Sequence, residues 1–101
     1  MKVLYDFQGL AIRLTGERLA HILEHPEMAE MEAAIALHPE RVVQSFTDPE
    51  ARLYYRFYVG TRTGNKYLSV IVKVKQGDAF VLTAYLTDRI KRGVQLWPNE
   101  S

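Results

Sequence analysis

Apolar and polar residues alternate along three runs of the chain, residues 53–59, 67–74 and 79–86. These runs are rich in valine, isoleucine, tyrosine and phenylalanine, so the alternation predicts three β-strands in series. Residues 60–66 and 75–78 join them, each with glycine beside turn-forming polar residues, as hairpin loops have. Successive side chains on a strand point to opposite faces, so each strand divides in two. One set is Leu53, Tyr55, Phe57 and Val59, then Leu68, Val70, Val72 and Val74, then Phe80, Leu82, Ala84 and Leu86. It is almost wholly apolar and is expected to form the core. The opposite set is Tyr54, Arg56 and Tyr58, then Tyr67, Ser69, Ile71 and Lys73 with Lys75 at the strand end, then Val81, Thr83 and Tyr85. That expected face bears phenols, hydroxyls and cations and no carboxylate.

The remainder of the chain supplies shorter elements. Residues 2–7 and 10–14 read as two extended segments around Gln8-Gly9. Thr15 offers an N-cap, Glu17 suits the first turn of a helix, and Leu19, Ile22 and Leu23 form an apolar stripe ending near Glu24 or His25. Pro26 stops this helix and is well placed to begin a second one, reaching about Leu37, with Met28, Met31, Ile35 and Ala34 turned inward. Residues 41–46 read as a further strand and 47–50 as a turn. Residues 87–93 suggest one helical turn capped at Thr87 or Asp88 and ended by Gly93, after which Val94, Leu96 and Trp97 dock on the core and Pro98 opens a loose tail. The expected fold is a single α+β domain over residues 1–101. Two N-terminal helices pack on one face of an antiparallel sheet of about four strands, and the other face is open.

Composition narrows the function classes. With 101 residues, 48% hydrophobic and 25% charged, the chain suits one soluble domain. No apolar run approaches the roughly 18–20 residues a membrane span needs, and Asp6 interrupts the N-terminus before a secretory signal can form. The absence of cysteine removes disulfide and thiolate chemistry and fits a cytoplasmic location. The formal net charge of +1 hides a division. Residues 1–40 hold three basic against seven acidic residues, whereas residues 41–92 hold ten basic against four acidic. A basic sheet half behind an acidic helical half points to a polyanion, with RNA as the expected partner.

Several side chains are candidates for chemistry. Arg56, mid-strand between Tyr54 and Tyr58, can offer its guanidinium fork to a phosphate. Lys73, Thr83 and Tyr85 share its expected face, with Tyr54, Tyr58, Tyr67 and Lys75 around them as substrate contacts. A cross-strand Tyr–Arg array that merely keeps an open sheet soluble is the plain alternative. His21 and His25 lie one helical turn apart, but no third ligand stands nearby, so no metal is expected. His21 remains a candidate general acid or base, its ordinary pKa being about 6.5, or else packs where helix meets sheet. His25 and His38 each precede a proline and read as structural. There is no phosphate-binding loop, no dinucleotide fingerprint and no pair of carboxylates on the cationic face. No cofactor is expected, and a nuclease built from these parts would work without metal.

The spans IRLTGERLAHILEHPEM, VVQSFTDPEARLYYRFYVG, KYLSVIVKV and FVLTAYLTDRIKRGVQLW, across about residues 11–97, resemble a family of small bacterial proteins. That family is similar to the phage-type barnase–EndoU–colicin–RelE nuclease group. The resemblance implies a helix-then-antiparallel-sheet fold that cleaves RNA without metal, a ribose 2′-hydroxyl attacking the adjacent phosphate to leave a 2′,3′-cyclic phosphate. It places the motif histidine on His21, the strand arginine on Arg56, and the hydroxyl–Ala–Tyr motif on Thr83 and Tyr85. Lys73 joins them from face geometry. The first reading, motivated by the basic, carboxylate-free face, is a metal-independent endoribonuclease, a toxin or phage-linked effector kept in check by an inhibitor protein. Two other readings stand beside it: a non-catalytic RNA- or protein-binding module on the same face, and a homodimer joined through Tyr54, Tyr58, Ile71, Val81 and Tyr85.

Overall fold

The three alternating runs do form a meander, extended at both ends by their hairpins. In the computed structural model, which describes residues 1–98, the strands are β1 (Lys2–Tyr5), β2 (Ala11–Leu14), β3 (Arg41–Ser45), β4 (Ala51–Thr61), β5 (Gly64–Lys75), β6 (Asp78–Thr87) and β7 (Gly93–Trp97). All seven belong to one sheet in the order β1-β2-β6-β5-β4-β3-β7. Neighbours are antiparallel except β2 and β6, which run parallel. The fold therefore differs from the expected pair of helices on an antiparallel sheet of about four strands. Strands make up 52% of the described residues and helical segments 14%, around one α-helix and a mixed seven-stranded sheet.

That helix, α1 (Gly16–Leu23), is the expected first one. The Thr15 hydroxyl accepts the Arg18 amide at 3.1 Å, and Glu17 lies in the first turn, where the helix dipole favours an acid. The expected second helix is absent. Pro26–Met28 and Glu32–Ala34 are separate 3₁₀ turns. Residues 26–37 have good helix formers, but propensity is a weak prior that tertiary contacts override. Met28, Met31 and Ile35 keep the spacing of one helical face, but Leu37 is buried as well, on what would be the opposite side of a continued helix, and takes a φ of +53°. No described helix is long and apolar enough to cross a membrane.

The sheet coils so far that its two ends meet on the helix side. The turn after β1 reaches across the concave surface: Tyr54 of β4 donates its phenol hydrogen to Asp6 at 2.7 Å, and the Phe7 ring stacks on Trp97 of β7 at 5.2 Å. Strand twist accumulated over seven strands has this effect. The main core fills that concavity, with Ile12, Leu14, Ile22, Met28, Val42, Tyr54, Val70, Val72, Val81 and Ala84 among its members.

Pairing register corrects the expected division of faces. Tyr54 pairs with Val70, and Arg56 with Leu68, so Tyr54, Arg56 and Tyr58 lie on the helix side with the β5 valines. Leu53, Tyr55 and Phe57 instead pair with Ile71, Ser69 and Tyr67 on the opposite face. In β6 a bulge at Leu82 changes the parity, because Ile71 pairs with Thr83 but Val72 with Val81. Thr83 and Tyr85 thus stay on the far face while Val81 enters the core.

The far face is not left open. Residues 88–92 form no helical turn. They cross it as a strap: Ile90 packs against Val43, Leu53 and Tyr55, and the Lys91 amide donates to the Tyr55 phenol at 3.0 Å. The chain then forms β7 on β3, where Gly93 is required. A Cβ there would sit 2.2 Å from the Gln44 carbonyl oxygen and 2.3 Å from a Val43 methyl. Of the expected loose tail, residues 99–101 lie outside the described residues.

Candidate functional site

The strap side carries the chemistry-bearing residues that the meander and strap bring together. Tyr55, buried at the centre of β4, is flanked by Tyr67 edge-to-face at 6.3 Å, and Tyr67 meets Phe57 at 5.1 Å. Burial raises the Tyr55 phenol above its ordinary pKa, against smaller opposing contributions from the Lys91 amide and the neighbouring Ser69 hydroxyl. The phenol stays protonated at neutral pH. Ser69 is wholly buried beside it, yet its hydroxyl makes no hydrogen bond of normal geometry among the described residues.

Beside these rings lies a cleft of about 300 Å³ lined by Glu40, Arg41, Phe57, Tyr67, Tyr55 and Ile90. Glu40 is tethered by the Phe57 amide, which donates to its Oε1 at 2.7 Å. Arg41, Arg89, Lys91 and Arg92 are exposed and join no ion pair among the described residues. Ile90 brings the strap to a cleft that holds Arg41 and Glu40, and the strap itself bears Arg89, Lys91 and Arg92 along with Asp88, which pairs with Lys66. The charge of the four cations faces solvent, where a polyanion can reach it.

The residues singled out from sequence divide between the two sides. Lys73, Thr83, Tyr85 and Tyr67 are on the strap side. Lys73 is neutralised there: its ammonium bonds Asp48 and lies 3.9 Å from Glu50. The hydrogen bond it donates to Asp48 raises the Lys73 pKa above its ordinary value. The face expected to lack carboxylates thus holds two around that lysine. Lys75 is exposed at the strand end, paired across the hairpin with Asp78. Tyr54, Tyr58 and Arg56 lie on the helix side. Tyr54 is buried, and burial drives its phenol pKa far upward, so it serves Asp6 as a donor and is closed to a substrate. Tyr58 packs against the core margin. Arg56 is exposed and donates to the His38 carbonyl at 3.0 Å. His21 is exposed on α1, 3.6 Å from Glu24. The structure does not gather His21, Arg56, Lys73, Thr83 and Tyr85 into one site. Among the described residues no group of three or more histidines and carboxylates is placed to hold a metal.

The sequence reading passed over Arg41, Arg89, Lys91 and Arg92. Their signal was available: the run Asp88-Arg89-Ile90-Lys91-Arg92-Gly93 sets three cations around one apolar anchor directly after the last strand of the meander. No protein-family model, curated protein or solved structure matches the chain.

Proposed function

We propose that the chain binds single-stranded RNA across the strap side of its sheet. Phosphates lie on Arg41, Arg89, Lys91 and Arg92, and bases stack on the exposed Phe57 and its neighbour Tyr67. One observation carries this reading: Arg41 lines a cleft walled by Phe57, Tyr67 and Tyr55, and the strap whose Ile90 closes that cleft bears Arg89, Lys91 and Arg92, none of the four in an ion pair among the described residues. Phosphate contacts provide sequence-independent affinity, and rings accept any base, each stacked base contributing about 1–3 kcal/mol. Duplex would present its bases already stacked and unavailable to the rings.

Metal-free cleavage is the second reading. It draws on Thr83 and Tyr85, which share the strap side with Tyr55 and Ser69 and so set hydroxyls near the proposed phosphate path. A 2′-hydroxyl attack there would use phenols and cations, since His21 and His38 stand elsewhere.

The test is incubation of the protein with labelled single-stranded RNA in EDTA, followed on native and denaturing gels. Retarded, intact RNA supports binding alone. Fragments ending in 2′,3′-cyclic phosphate, lost in Tyr85→Phe but not in Arg56→Ala, support cleavage on this face. RNA that is neither retarded nor cut at low salt sinks both readings.

A further inference from the structure

A second concavity lies on the other side of the sheet, where the coiled ends meet. It measures about 380 Å³ and is bordered by Tyr5, Phe7, His38, Arg56 and Trp97. Four features converge on it. The Phe7 and Trp97 rings are stacked, 29° from parallel, and Trp97 keeps 37% of its surface exposed and Tyr5 63%. Arg56 joins no ion pair among the described residues, and its Nη1 is aimed by the His38 carbonyl at 3.0 Å. Leu37, buried against the same cleft, holds φ at +53°. A branched apolar residue in that region is strained, and such strain concentrates at ligand sites. A crevice of about 10 Å³, room for one water, leads inward past His38 and Arg56 to Tyr54.

The one acid at this site does not oppose an anion. Asp6 is 7% exposed. Its Oδ1 accepts the Gln8 and Leu10 amides, each at 2.9 Å, and its Oδ2 accepts Tyr54 and lies 3.7 Å from Arg52. The ligand-facing surface is left with aromatic faces and one guanidinium.

We propose that this cleft binds a planar aromatic anion, its ring against Trp97 and Tyr5 and its anionic group on the Arg56 fork. The shared chemistry is a flat ring with an acid a few bonds away, as in a nucleoside monophosphate or an aromatic carboxylate. The site is on the opposite side of the sheet from the strap, and its test is independent of RNA binding.

Trp97 is the only tryptophan in the chain, so its fluorescence reports the cleft directly. The wild-type protein is titrated with two pairs of probes, AMP against adenosine and benzoate against benzamide. In at least one pair the anion should quench Trp97 saturably and bind about tenfold more tightly than its neutral partner, as a charge-assisted contact implies. Arg56→Met should erase that difference within the pair, leaving both members at the weaker affinity. A fold defect cannot imitate this outcome, because it would weaken both members alike. Tyr5→Ala, at an exposed position, should weaken every probe by roughly fivefold or more through lost stacking. A preference confined to AMP identifies a nucleotide, and one confined to benzoate an aromatic acid. The proposal is overturned if no probe quenches saturably, if anion and neutral partner bind alike, or if the anion's advantage survives Arg56→Met.

Discussion

The two faces of the sheet bury polar groups on opposite terms. On the helix side, Asp6 is enclosed but fully engaged, by two amides, the Tyr54 phenol and Arg52. On the strap side, the Ser69 hydroxyl is enclosed with no hydrogen bond of normal geometry among the described residues, and the small cluster of Val43, Leu53 and Tyr55 packs with Tyr67, Ile71 and Ile90. A satisfied buried group helps specify a fold, whereas an unsatisfied one weakens it. The difference places the cooperative core on the helix side. The strap side keeps the cations of its strap and the edge of Phe57 exposed.

The largest effect should come from Asp6→Ala. It strips two amides and a buried phenol of their acceptor, and a loss of about 3 kcal/mol is expected in urea unfolding with an unchanged m-value. A loss under about 1 kcal/mol would mean that the end of β1 is not part of the core. Next is Gly93→Ala, which forces β7 away from the Gln44 carbonyl at a cost of about 2 kcal/mol. Because the strap runs into β7, exchange of the Lys91 amide, now donated to Tyr55, should accelerate; unchanged exchange would show that the strap is held by Ile90 alone. Ser69→Ala should go the other way, with stability unchanged or raised by up to about 1 kcal/mol, since it removes a buried hydroxyl that makes no hydrogen bond of normal geometry among the described residues. A clear destabilisation would reveal a bond to Tyr55.

The smallest effect is acid loosening of the loop between β3 and β4. The hydrogen bond from Lys73 holds the Asp48 carboxyl below its usual range. A depressed acid stabilises the fold above its unfolded pKa of about 3.9 and loses that contribution as pH falls through the folded value. Resonances of the loop should shift in that acid window in the native protein and not in Asp48→Asn.

Much of this architecture can be read from the sequence, and the failures have physical causes. Strand positions, the first hairpin and the Thr15 cap are local features, marked by alternation, turn residues and capping chemistry. Face assignment in β4 is not local. The strand lies near the middle of a sheet covered on both sides, so Leu53-Tyr55-Phe57 and Tyr54-Arg56-Tyr58 are both suited to burial, and only pairing with β5 decides between them. The Leu82 bulge reverses parity within β6, and alternation read through it sends Phe80 to the wrong side. The cations of the strap are plain in the sequence, but their site exists only once Ile90 docks on Tyr55 and Arg41 lies beside it. The same blindness scattered the candidate set: Arg56 and Lys73 look alike in sequence and face opposite ways.

The central claim is that the strap side is an electrostatic platform for RNA. Anisotropy of a labelled, unstructured RNA, measured against salt, tests it most directly. Four phosphate contacts predict that log K falls with log salt at a slope of about −3, and Arg41→Ala combined with Arg92→Ala should reduce that slope by about 1.4, at roughly 0.7 per contact. Affinity that ignores salt, or a slope the double variant leaves untouched, would contradict the account.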